Sequence, residues 1–184
     1  MRRTVGRLCA AILFVLLLPS LFACSRERVL EYCELSITLP AEFELITKRE
    51  ELVSLASDAA ATDGSLTVTL ARLSFVAAIE DGIPDTLGPE AFAKVFATRS
   101  GLRLEGDATA TDGDITVRIS EWGDAVYYTY GYLGAEELPM RAVIAFYRTP
   151  YAYFAIGFYA PYYGEWGIEA MLSLTSTVSV NVQG

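Results

Sequence analysis

The chain has no histidine among its 184 residues. Histidine is the side chain that ordinarily titrates near neutral pH. Its absence removes the usual general base, the usual activator of a Ser or Cys nucleophile, and the commonest metal ligand. Cysteine is nearly as scarce, at Cys9, Cys24 and Cys33 only, and no pair has zinc-site spacing. No Gly-rich phosphate loop follows a strand. The longest apolar run, Leu8 to Leu18, spans 11 residues, short of the about 20 that cross a bilayer as a helix. These absences predict no cofactor, no bound metal and no permanent transmembrane helix.

Positive charge is also in short supply, with 14 Lys and Arg against 23 Asp and Glu. Residues 1–23 hold three of the basic groups and none of the acidic ones, so the remainder carries 11 against 23 and a net charge of −12. Such a surface repels phosphate backbones and anionic headgroups, and no nucleic-acid partner is expected.

The N-terminus has a different character from the rest. Arg2, Arg3 and Arg7 precede the apolar run, and Pro19 and Ser20 follow it. A basic flank, a short apolar core and small residues before a cut site make a secretory signal rather than a fold element. The sequence Leu21-Phe22-Ala23-Cys24 resembles the end of a bacterial lipoprotein signal, although Phe22 is bulky where such signals carry a small residue. The resemblance implies removal of residues 1–23 and lipidation of Cys24. The protein would then be extracytoplasmic, partnered with the membrane through that lipid, because two acyl chains give the stable anchoring that one does not. Residues 24–33 read as the lipidated Cys and a short tether, and 34–184 as a single α+β domain of ordinary length. Cys33 then has no intramolecular partner. It is either a small buried apolar residue or an exposed reactive thiol.

The pattern of apolar residues predicts strands at Leu35–Leu39 and Phe43–Thr47 and a helix or loop over Lys48–Ala56. It then predicts a long strand over Ser65–Ala77, an irregular stretch over Asp81–Pro89, and a helix over Glu90–Thr98 opened by Pro89 and stopped at Gly101. The second half reads as strands at Leu102–Thr109, Ile115–Trp122, Ala125–Leu133, Met140–Arg148 and Tyr151–Tyr159, then a helix over Tyr162–Leu174 and a strand or tail over Val178–Val182. Short links make neighbouring strands antiparallel. An Ala-Thr-Asp-Gly turn occurs twice, at Ala61–Gly64 and Ala110–Gly113. Asp-Gly supplies the positive φ of a tight turn. Calcium ligation by Asp112 and Asp114 is the weaker reading, because no loop supplies enough oxygen ligands.

The order of these elements, with Leu39-Pro40-x-x-Phe43 ending the opening strand, resembles the Mog1/PsbP-like proteins over residues 34–182. That resemblance implies an antiparallel sheet with helices on both faces, an α/β/α sandwich. It implies binding or assembly rather than catalysis, and it transfers no site residue.

The strongest positive feature is tyrosine, with ten of the eleven between residues 127 and 163. Alternation in strands puts Tyr128, Tyr130 and Tyr132 on one side and Tyr127 on the other. Tyr151, Tyr153 and Tyr159 share a parity opposite to Phe154, Ile156 and Phe158, and Tyr147 lies on the strand between. If these strands are neighbours, a tyrosine-rich face results. Such rings either pack under a helix or form a recognition surface. The candidate surface is Tyr128, Tyr130, Tyr132, Tyr147, Tyr151, Tyr153, Tyr162 and Trp166. It suits a membrane-tethered, non-catalytic module that binds an envelope protein or a glycan. On that reading Tyr130→Ala and Tyr153→Ala weaken partner capture without unfolding the domain. The alternative is an envelope hydrolase using carboxylates such as Glu80, Asp81 and Asp85 or Glu136 and Glu137, which requires two acids to converge in a cleft.

Overall fold

A computed structural model describes residues 27–106, 115–123 and 125–181. Asp112 and Asp114, weighed and disfavoured as calcium ligands, the second Asp-Gly turn and Cys24 lie outside those residues.

The described chain is α+β, with mostly antiparallel sheets and few helices. In chain order the elements are β1 (Arg28–Tyr32), β2 (Leu35–Leu39), β3 (Glu44–Ile46), α1 (Arg49–Ser54), β4 (Ala59–Thr62), β5 (Thr67–Ser74), α2 (Phe75–Glu80) and α3 (Pro89–Arg99). They continue as β6 (Arg103–Leu104), β7 (Thr116–Val117), β8 (Ser120–Trp122), β9 (Ala125–Leu133), β10 (Pro139–Arg148), β11 (Ala152–Pro161), α4 (Ile168–Ser173) and β12 (Val178–Val180).

A seven-stranded sheet in the order β3-β4-β5-β11-β10-β9-β8 forms the frame, and its partners are all antiparallel. A second sheet, β1-β2-β12, lies over one face of the first. Between them sit Leu35, Ile37 and Leu39 from β2 and Phe154, Ile156 and Phe158 from β11, all essentially inaccessible. Met171 and Leu172 of α4 close this core. The other face of the large sheet packs under α3 and the end of α2, where Phe92, Ala93 and Ala97 meet Tyr128, Phe146 and Tyr153. The layer opposite α3 is built chiefly from the β1-β2-β12 strands, with the short helix α4 beside them.

Several local differences have identifiable causes. Residues 28–32, expected as tether, form β1 because Leu30 finds a buried site against the core. The long strand expected through Ala77 ends at Ser74, whose hydroxyl accepts a hydrogen bond from the Ala77 amide at 3.2 Å and starts α2; this is the N-cap chemistry that favours Ser. The strand expected over Leu102–Thr109 is two residues long where described, and β6 pairs with β7 in parallel. The last helix begins only at Ile168, because Gly164 and Gly167 interrupt the run from Tyr162. Pro89 and Gly101 bound α3 as expected; Gly101 has φ +74°, a conformation that glycine adopts without strain.

Cys33 is exposed and sits in the β1–β2 turn with φ 53°. The buried reading of this thiol is thereby corrected: the turn holds its side chain away from the core. Among the described residues no helix is long and apolar enough to cross a membrane.

Candidate functional site

The register of the large sheet decides which tyrosines meet. Tyr130 of β9 stands opposite Ala142 of β10, and Ala142 opposite Tyr159 of β11. The small Ala142 between two phenols leaves both rings room to lean across the sheet. One step along, Tyr132 stands opposite Met140. The rings form a chain of contacts: Tyr128 to Tyr130 at 6.2 Å, Tyr130 to Tyr132 at 5.8 Å, and Tyr132 edge-on to Tyr159 at 6.5 Å.

Helix α3 covers only part of this face. It stacks Phe92 on Tyr153 at 4.4 Å and sets Phe96 against Phe146 at 5.4 Å, then stops at Ser100. Beyond that stop, Tyr130, Tyr132 and Tyr159 are left half-buried. The floor next to them is made of small residues, Thr69 and Ala71 of β5 and Ala155 and Gly157 of β11. Glycine fits at 157 because a Cβ there would sit 2.6 Å from the Tyr159 ring and 2.6 Å from Thr69 Oγ1, and those side chains would have to shift.

The result is a groove in two parts. An inner cavity of about 170 Å³ lies between Phe96 and Ser100 on one side and Tyr128, Tyr130 and Tyr159 on the other. An outer cavity of about 300 Å³ lies between α3 and β5, with Leu73, Ile83, Phe92 and Phe96 in its wall. The two share Ala71, Phe96, Ser100 and Ala155. Burial pushes the phenol pKa values of Tyr128, Tyr130, Tyr132 and Tyr159 upward, and neighbouring phenols add to this at Tyr128, Tyr130 and Tyr159. Near neutral pH the cluster is a set of uncharged hydroxyls.

The eight sequence candidates thus separate. Tyr130 and Tyr132 line the open face. Tyr128 is on the same face but 1% exposed, so it belongs to the floor rather than the surface. Tyr153 is wholly buried and its hydroxyl donates to the Pro84 carbonyl at 2.7 Å, with the Leu87 carbonyl a second acceptor at 3.2 Å. It is core, which corrects the expectation that Tyr153→Ala leaves the fold intact. Tyr147 faces the opposite core, where its hydroxyl reaches the Thr175 carbonyl. Tyr151 is exposed in the turn before β11. Tyr162 is half-exposed at the far end of β11, under the Arg141 guanidinium at 4.5 Å. Trp166 packs edge-on against Phe43 at 6.0 Å and donates its indole N–H to Asp63 Oδ2 at 3.1 Å. One continuous surface of all eight does not form.

Sequence reading undervalued Tyr159, Gly157 and the small residues beside them. The signal was there: Ala155, Gly157 and Tyr159 share one parity, so a depression bordered by a ring follows from alternation alone.

Asp81 pairs with Arg99 at 3.3 Å, and Glu136 and Glu137 occupy the exposed β9–β10 connection with φ 58° each. Two other acids have displaced pKa values. Burial raises that of Glu34, but hydrogen bonds from its own backbone, Thr149 and Arg72 outweigh burial and hold it below the ordinary value. Burial likewise raises Asp63, and bonds from Leu66, Ser65 and Trp166 hold it low. Both are stable anions, the reverse of a general acid. Among the described residues no three Cys, Asp or Glu side chains come together as a metal site.

No family model matches this chain, and no curated protein matches it. A solved structure from Bacteroides thetaiotaomicron VPI-5482 is similar at 11% identity and a TM-score of 0.49. The similarity covers 82% of this chain and 46% of that one, so this chain spans less than half of its length.

Proposed function

We propose that the protein is a non-catalytic lipoprotein of the cell envelope, a binding or assembly module held to the membrane through lipid on Cys24. The observation that carries this reading is the row of Tyr130, Tyr132 and Tyr159 left uncovered past the end of α3. Tyrosine gives large, rigid contact area at low entropic cost, which is why it recurs at recognition surfaces. The partner class is an envelope protein or a glycan, and the excess of acidic groups opposes nucleic acid. The strand-first order and the Leu39-Pro40-x-x-Phe43 ending support a Mog1/PsbP-like sandwich as the ancestry of the domain.

The test is proximity crosslinking of the full-length chain in its own envelope, with Cys24→Ser and Tyr132→Ala beside it. Capture of one reproducible partner, lost in Tyr132→Ala and reduced in Cys24→Ser, is the expected result. Capture that is indifferent to Tyr132 refutes the surface, and a Cys24→Ser chain that fractionates with membranes as before refutes the anchor.

A further inference from the structure

We propose that the groove past the end of α3 binds a small uncharged amphiphile, its apolar body in the outer cavity and its hydroxyl or carbonyl head on the phenols of the inner one. This inference rests on the reading of the tyrosine face as a binding surface and adds a chemical class.

The first observation is Tyr128. It is 1% exposed, it lines the inner cavity, and its hydroxyl has no hydrogen-bond partner among the described residues. A buried hydroxyl without a partner costs free energy, and native structures seldom leave one so. Among the described residues no side-chain oxygen or nitrogen that is fully sealed from solvent lacks a partner. The small accessible part of Tyr128 is therefore its hydroxyl, and it opens into the cavity. A ligand oxygen placed there would pair a nearly buried hydroxyl that no described residue pairs.

The second observation is independent and concerns charge. Among the described residues no carboxylate, lysine or arginine lines the inner cavity; the polar side chains there are the phenols of Tyr128, Tyr130 and Tyr159 with Thr69 and Ser100. Burying a charged head among them would cost several kcal/mol without a counterion. Arg99 and Arg72 are among the residues that line the outer cavity, and both guanidiniums are engaged: Arg99 with Asp81 at 3.3 Å and Arg72 with Glu34 at 3.2 Å. A carboxylate or phosphate head finds no spare cation among the described lining residues. Around the rest of the outer cavity Leu73, Ile83, Phe92 and Phe96 offer an apolar lining that suits an acyl or similar body. The two cavities are adjacent, with walls at Phe96 and Ala155 in common, and one molecule is proposed to reach from one into the other.

The probe is 1-octanoylglycerol, titrated into the full-length protein below its aggregation limit and followed by ligand-observed NMR, with octanoate as the charged-head comparison. The expected result is saturable binding of octanoylglycerol and at least tenfold weaker binding of octanoate. Tyr128→Phe should bind octanoylglycerol about 3- to 10-fold more weakly, the value of one hydrogen bond. Its thermal midpoint should not fall, since no protein hydrogen bond is lost. Ala155→Leu, checked for fold by circular dichroism, should block both cavities. Equal or tighter octanoate binding, unchanged affinity in Tyr128→Phe, or no saturable binding overturns the proposal. Partner capture through Tyr132 in the crosslinking experiment, with no octanoylglycerol binding, overturns the ligand class while leaving the recognition surface standing.

Discussion

Replacing Tyr153 by Phe isolates one oxygen in the core under α3. The ring would remain stacked on Phe92 at 4.4 Å and edge-on to Phe75 at 5.1 Å. What disappears is the hydroxyl that donates to the Pro84 carbonyl and also lies 3.2 Å from that of Leu87. That hydroxyl ties the irregular stretch between α2 and α3 to the sheet. Losing the bond costs about 1 kcal/mol, with no added penalty for an orphaned acceptor, because Pro84 is exposed and its carbonyl also accepts from the Leu87 amide at 3.4 Å. For a domain of this size the thermal midpoint should fall by about 2–4 °C. Tyr153→Ala removes the ring as well and should cost about 3–5 kcal/mol. A double-mutant cycle with Phe92→Leu should return a coupling of about 1 kcal/mol for the stacked pair. Urea unfolding followed by circular dichroism measures all three quantities. A Tyr153→Phe protein within about 0.3 kcal/mol of the parent, together with a Tyr153→Ala cost below about 1 kcal/mol, would refute the assignment of this ring to the core.

Three further outcomes follow from the geometry. Asp63 and Glu34 have folded pKa values below their ordinary ones, so their stabilisation is complete above the usual carboxylate range, about pH 4, and is lost as the pH falls through the lowered values. Asp63→Asn should flatten this acid dependence, read as Trp fluorescence in urea at several pH values; a parent-like slope would show that Asp63 does not hold the Trp166 indole. The phenols of Tyr128, Tyr130, Tyr132 and Tyr159 have raised folded pKa values, so the fold is favoured below about pH 10 and destabilised as the pH rises beyond it. Ultraviolet titration should show these four ionising above the ordinary phenol range, and ionisation of all four at the ordinary value in the folded protein would contradict their burial. Gly157→Ala should cost about 1–3 kcal/mol because the new methyl displaces Tyr159 and Thr69, and a neutral effect in thermal melts would show that the ring yields freely.

How much was legible in the sequence depended on whether local pattern or tertiary context set the answer. β9, β10 and β11 were readable because alternating apolar and aromatic residues over nine or ten positions have one period. α3 was readable from Pro89, the Phe92–Phe96 spacing and Gly101. β1 was not, since Arg28 to Tyr32 looks like a charged linker until β2 lies beside it. The side on which each tyrosine points was legible from parity. Its exposure was not, because Tyr128 and Tyr130 differ only in whether α3 reaches over them. The groove itself depends on where one helix stops relative to a glycine more than fifty residues later, and no local pattern encodes that distance.

The small sheet joins the two ends of the described chain. β2 is paired on one side with β1 and on the other with β12, and Ser36 Oγ meets Ser179 Oγ at 2.8 Å across 143 residues of sequence. In time, this places the closing step last. While the chain is being made, β2 keeps a bare edge until residues 178–180 arrive. Contacts of such long separation form slowly, and an open edge is where chains aggregate. A ribosome or a pore that releases this chain N-terminus first therefore delivers β2 with one edge open, and residues 178–180 complete the small sheet.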